Sequence, residues 1–123
     1  LQLDNYQKAL NDFNQTLQID AEFIYAYNNI GIIHYIRNEN QSAVNAYSQA
    51  IAIYPDYALA YTNRAEAYKY MGNYNYALLD YNRALQIESQ IMYAFSGRGW
   101  YYVHMGSYNN AISDFTTWLS INS

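Results

Sequence analysis

The feature that most narrows what this chain can fold into is a recurrence every 34 residues along its whole length. Ala9, Ala43, Ala77 and Ala111 follow one another at that interval, as do Phe13, Tyr47, Tyr81 and Phe115, and Leu17, Ile51, Leu85 and Leu119. Tyr27, Tyr61 and Phe95 keep the same frame, with Gly31, Ala65 and Gly99 and then His34, Tyr68 and Tyr102. A fixed period of this size marks stacked supersecondary units, each too small to bury a hydrophobic face alone. The frame divides the chain into the second half of a truncated unit, residues 1–23, and units 24–57, 58–91 and 92–123, read as one continuous array.

Within a unit the apolar and small residues fall at helical spacing. Tyr27, Ile30, Gly31 and His34 form one stripe, and Ala43, Tyr47, Ala50 and Ile51 a second. Between the stripes stand Asn38, Gly72 and Gly106, residue types that accept the left-handed conformation closing a helix, with Asp4 in the equivalent place. Each unit therefore reads as an antiparallel helix pair, and the whole chain as all-α with about seven helices. A glycine inside a helix costs up to about 1 kcal/mol relative to alanine, so Gly31 and Gly99 need a reason. The expected one is close approach of the first helix to Ala43 or Ala111 of the second, with Tyr47 and Phe115 filling the flanking space.

The unit Tyr27-x-x-Ile30-Gly31-x-x-His34, then Ala43-x-x-x-Tyr47, then Pro55, resembles the tetratricopeptide (TPR) signature, and the other units repeat it. The resemblance implies a right-handed α-solenoid whose concave face is lined by the first helix of each unit. Two departures carry information. Trp118 stands where Ala50 and Ala84 predict alanine, so the last helix is expected to be displaced or exposed. Arg64 and Arg98 occupy a site that the signature gives to an apolar residue, and Asp80 and Asp114 accompany them in the same units, whereas Ile30 faces Ala46. Arg and Asp occur together and the apolar residues occur together, which predicts salt bridges inside each repeat.

Setting aside the core stripe leaves Tyr25, Asn28, Asn29 and Ile32 on the first complete unit's inner face, Thr62, Asn63, Glu66 and Tyr70 on the second, and Trp100 and His104 on the third. Rings beside amides, with few charges, suit a peptide held by ring contacts and hydrogen bonds to its main chain. Asn29 and Asn63 occupy the same place in successive units and resemble the asparagine ladder with which some family members grip a peptide, while Gly97 interrupts that ladder. Other members bind acidic chaperone tails through a clamp of Lys, Asn, Asn, Lys and Arg. Asn63 matches it, but Asn28, Ile32, Tyr93 and Gly97 do not.

Composition points the same way. With 6 basic and 10 acidic residues the chain has a formal charge of -4, which gives no electrostatic footprint for nucleic acid or an anionic membrane. No apolar run approaches the roughly 18 residues of a membrane span. The absence of cysteine excludes disulfides and thiolate metal sites and leaves the compartment undetermined, the cytoplasm being mildly favoured. His34 and His104 lie in different units and outside any zinc-ligand spacing, His34 reading as a core substitute for the tyrosine of the other units. No phosphate loop and no nucleophile–base set occurs, so neither a catalytic residue, a metal nor a cofactor is expected. The expected function is a protein-protein interaction module binding a peptide or helical segment of a partner. The alternative is an assembly array that self-associates through its uncapped apolar ends.

Overall fold

The computed structural model describes residues 2–20 and 23–122. Seven helices account for them: α1 (Gln2–Ile19), α2 (Ile24–Ile36), α3 (Asn40–Ile53), α4 (Ala58–Tyr70), α5 (Tyr74–Ile87), α6 (Met92–His104) and α7 (Tyr108–Asn122). The helices group into two compact units, Leu1–Asp56 and Tyr57–Ser123. In the first, α2 packs on α3 and α1 on α2; in the second, the pairs α4/α5 and α6/α7 are joined by contacts of α6 with α5 and α4.

The turns follow from single backbone positions. Asn38, Gly72 and Gly106 have φ of 63°, 82° and 79°. Each lets the next amide turn back on the helix: Glu39 N–H donates to His34 O at 2.8 Å, Asn73 to Tyr68 O at 2.9 Å and Ser107 to Tyr102 O at 2.8 Å. Asn38, Gly72 and Gly106 themselves donate to Tyr35, Lys69 and Val103. These paired bonds are Schellman closures, and they satisfy carbonyls that the helix end would leave orphaned. The expectation for Asp4 is not met, because position 4 lies inside α1. A left-handed residue there would break the helix's own hydrogen bonds.

Alanine, glycine and one ring per pair build the interior. Ala43, Ala77 and Ala111 are buried, and Tyr47 and Tyr81 are the largest fully buried side chains. Each such ring contributes on the order of 1.5–3 kcal/mol by leaving water, and burial pushes the Tyr47 hydroxyl well above its ordinary pKa, so it stays protonated. The reason for the helical glycines is more direct than expected. A Cβ on Gly31 would strike the ring of Tyr47, and one on Gly99 would lie 2.8 Å from Phe115 Cε1. The rings rest on the bare helix backbone itself. Two further rows, Ala26, Ala60 and Ala94, and Ile33, Ala67 and Tyr101, are also buried. In the first unit Leu10, Ile30, Ile33 and Ala46 form one cluster, so Ile30 does face Ala46.

His34 is half-buried rather than a full core substitute, because Glu39 just past the turn takes its ring nitrogen: Nδ1 is 2.9 Å from Glu39 Oε1. That hydrogen bond holds the Glu39 carboxyl below its ordinary pKa, slight burial opposes it, and the charge of Arg37 adds to it.

The Arg–Asp pairs are present in bidentate form. Arg64 Nε and Nη2 donate to Asp80 at 2.7 and 2.8 Å, and Arg98 Nε and Nη2 to Asp114 at 2.8 and 2.7 Å. Asp80 and Asp114 are only 5% and 4% exposed. Each guanidinium also lies over two rings, Arg64 over Tyr61 and Tyr68 and Arg98 over Phe95 and Tyr102. Removing one partner strands a buried charge, at about 3–5 kcal/mol, whereas an apolar replacement of both can be nearly neutral. Arg64→Met should therefore lower the urea midpoint more than Arg64→Met/Asp80→Leu does; equal losses would refute the pairing.

Candidate functional site

The first helix of each pair carries the residues that the sequence points to, and the structure sorts them. On α2, Tyr25 is exposed and Asn29 and Ile32 are half-buried. Asn28 does not belong to this surface, being 3% exposed, and neither does its counterpart Thr62 on α4, at 1%. Both were expected in the groove, and both are corrected to interior positions. The physical reason is explicit at Thr62: its hydroxyl donates to Ala58 O one turn back at 3.1 Å, so a small polar side chain is buried with its hydrogen bond made. Ser96, in the same place on α6, is half-buried and bonds Tyr93 O at 3.2 Å.

In the second unit, Tyr70, Trp100 and His104 converge. Together with Lys69, Tyr74, Tyr101 and Val103 they line a cleft of about 570 Å³. Tyr70 and Trp100 stand 69% and 58% exposed at this cleft, and the Tyr74 and His104 rings stack with centroids 4.4 Å apart. Helix periodicity explains the convergence. Lys69 and Tyr70 end α4, Trp100, Val103 and His104 share one side of α6, and Tyr74 opens α5 beside them. Tyr74 and Tyr101 were missed in the sequence. Tyr74 offered a signal, since Tyr6 and Tyr108 share its place in the 34-residue frame, whereas Tyr101 sits among Ile33 and Ala67 and reads as plain core.

Glu66 is committed internally. Its carboxylate accepts a hydrogen bond from the buried Tyr81 hydroxyl, and Lys69 Nζ donates to it at 3.2 Å while lying 5.6 Å from the Tyr70 ring centroid. This arrangement accounts for Gly97. A Cβ there would sit 2.5 Å from both Glu66 Oε2 and the Tyr81 hydroxyl. The second complete repeat has Ala65 where Gly31 and Gly99 bare the backbone to a ring; Tyr81 packs in one cluster with Ala65 and also reaches beneath α6 at Gly97. The Asn29 and Asn63 place is thus closed to any side chain in the third repeat. A second, nearly apolar groove of about 360 Å³ lies between α6 and α7, lined by Ser96, Trp100, Phe115, Trp118 and Leu119. Trp118 is half-buried and Leu119 is exposed, while Ala111 and Asp114 keep α7 seated on α6.

Among the described residues no helix is long and apolar enough to cross a membrane, and no group of three His, Asp or Glu side chains is placed to hold a metal ion.

Residues 31–72 match a family profile described as TPR repeat, and residues 58–90 match one described as Tetratricopeptide repeat. Among solved structures, MamA shares 25% identity over 95% of this chain and 68% of its own, with a TM-score of 0.85. The OM64 TPR domain of Arabidopsis shares 26% over 80% of this chain and 81% of its own, at 0.77. The second TPR of Spaghetti (RPAP3), solved bound to the HSP90 peptide SRMEEVD, shares 25% over 93% and 98%, at 0.76. No curated protein sequence is significantly similar to the chain.

The packing at Gly97 yields a direct expectation. Gly97→Asn, which would restore the interrupted ladder, should destabilise the fold by about 1–3 kcal/mol through overpacking against Tyr81 and Glu66, despite asparagine's better helix propensity. An unchanged or raised melting temperature would show that the ring and carboxylate do not fill that space.

Proposed function

Because the chain belongs to the tetratricopeptide-repeat family, we propose that it works as a protein-interaction module, binding a peptide segment of a partner on the faces of its first helices. The cleft of Tyr70, Trp100 and His104 carries the reading. Exposed Trp and Tyr rings around a concavity give large contact area at little entropic cost and are the residue types that dominate binding energy at interfaces. Asn29 on α2 and Asn63 on α4, at one place in successive repeats, add amide groups suited to a peptide main chain. Tyr25 and Ile32 complete the face of α2.

Peptide binding by the second TPR of Spaghetti (RPAP3) supports this mode. The acidic character of its peptide does not carry over. Lys69, the one Lys or Arg among the described residues lining the cleft, is already paired with Glu66 at 3.2 Å. A partner segment anchored by apolar or neutral groups fits better than a carboxylate tail. The module acts on this reading without a cofactor, without chemistry of its own and without nucleic acid or membrane as partner.

The groove between α6 and α7 favours a second reading, association of copies of the chain through Trp118 and Leu119.

Display of random peptides against the purified chain separates these outcomes. Enriched binders should lose about tenfold or more in affinity, about 1.4 kcal/mol, with Tyr70→Ala/Trp100→Ala where they engage the cleft, or with Asn29→Ala/Asn63→Ala where they engage the asparagines. Capture that neither pair of substitutions alters would overturn the placement. For the second reading, sedimentation should show a dimer that Trp118→Glu dissociates, and a monomer at high concentration would dismiss it.

A further inference from the structure

The apolar groove between α6 and α7 repeats, one unit later, a surface that the protein already covers. Its lining residues Ser96, Trp100, Phe115, Trp118 and Leu119 correspond, 34 positions earlier, to Thr62, Glu66, Tyr81, Ala84 and Leu85. Of these, Thr62, Tyr81 and Ala84 are at most 1% exposed. The cover on α5 is α6: Tyr81, Ala84 and Leu85 share one cluster with Ile91 and Ala94, and a Cβ on Gly97 would strike Glu66 and the Tyr81 ring. The first unit makes the same arrangement, with Leu10, Phe13 and Leu17 of α1 clustered with Ile30 and Ile33 of α2. On α7 the matching face is open. Ile112 is 62% exposed where its counterpart Leu10 is 7% exposed, and Leu119 is 58% exposed.

The seat on α7 is not a plain copy. Trp118 stands where Ala50 and Ala84 are fully buried, and Trp100 where Glu66 presents a carboxylate. The Trp100 and Phe115 rings meet edge to face with centroids 5.5 Å apart, so they brace each other. The one charged side chain of α7, Asp114, is held by Arg98, which leaves the groove neutral. These changes decide what can cover the face. A helix joined to α7 as α6 is joined to α5, through a stretch as short as residues 88–91, is tied to the α5–α6 distance, and an indole in place of Ala84 is overpacked there. A helix of another protein is free to settle further out, over both indoles. A second copy of the chain has no such helix to lend, because Ile30, Ile33, Ile91 and Ala94, which do the covering, are buried in each copy.

We infer that the groove between α6 and α7 receives an amphipathic helix of a partner protein, whose packed face is uncharged and sets alanine or glycine against Trp118 and Phe115 with a branched aliphatic residue one turn before. The groove shares Trp100 with the cleft of Tyr70 and His104 but is otherwise lined by its own residues. The inference goes beyond peptide binding in that cleft and does not rest on it.

Titration of the full chain with a peptide of residues 90–104, followed by heteronuclear NMR, tests it. The peptide carries the face with which α6 covers α5, and a cross-link between positions 100 and 104 holds it helical, since an isolated helix of this length is marginal in water. It should shift the amides of residues 112–119, with an affinity that raised salt leaves unchanged. Leu119→Glu and Ile112→Glu in the chain, both at exposed positions, should each weaken binding about tenfold or more. Tyr76→Ala, at an exposed ring of α5 outside the groove, should have no effect. The same peptide carrying Ala94→Leu and Gly97→Leu should bind about tenfold more weakly, although it is the more hydrophobic of the two. Equal or tighter binding of that variant would reduce the contact to unspecific apolar adhesion and overturn the inference, as would a complete absence of shifts. Shifts confined to residues 69–74 and 101–104 would overturn it while leaving the peptide-binding reading of the cleft standing. A sedimenting dimer that Trp118→Glu dissociates would give the groove to a second copy and overturn it as well.

Discussion

The repeats depend on how near the two helices of a pair can come. An aromatic side chain of the second helix, Tyr47 or Phe115, lies against a stretch of the first helix where Gly31 or Gly99 has no Cβ to hold it off. The glycines sacrifice helix propensity, and ring burial offsets that cost. Once the ring is seated, the alanine rows on either side can close, and the positions left facing outward are set. In the second complete repeat Ala65 stands at that place, and Tyr81 packs in one cluster with it. The same ring also meets Gly97 on the following first helix, and its hydroxyl donates to Glu66.

That ring, packed against two successive repeats, explains why some of the molecule was readable from its residues and some was not. The helix pairs, their closures and the Arg–Asp partnerships were legible because the chain contains its own comparison: three copies that differ at matched places reveal which residues change together. Position-by-position comparison fails where a residue's role depends on a different copy. Gly97 looked like a gap in a row of asparagines, and only the three-dimensional meeting with Tyr81 gives it a function. Asn28 and Thr62 were placed outside because they fall beside the core stripe, yet a hydroxyl that bonds the preceding turn, as Thr62 does, needs no water. Tyr101 was hidden for the converse reason: buried for most of its area, it still contributes to a cleft wall.

Charge is handled with similar economy. Arg64, Arg98 and Lys69 all meet carboxylates of the same unit, and Arg98 Nη1 also donates to Asn82 Oδ1 at 2.8 Å, tying α6 to α5 of the preceding pair. Cations that would suit an acidic ligand are thereby spent on structure, and recognition is left to rings. This is how a chain with 17 tyrosines and only 13% charged residues divides its work: ions fix the interior and the joints, aromatics cover the outside.

The contact of Tyr81, Glu66 and Gly97 also constrains the history open to this sequence. A larger residue at 97 is acceptable only after the ring at 81 has shrunk or moved. Positions 81 and 97 are therefore coupled, and the order of their substitutions matters. While that ring stays where it is, the turn of α6 before Trp100 can carry no side chain at 97, a bareness set by the packing beneath it.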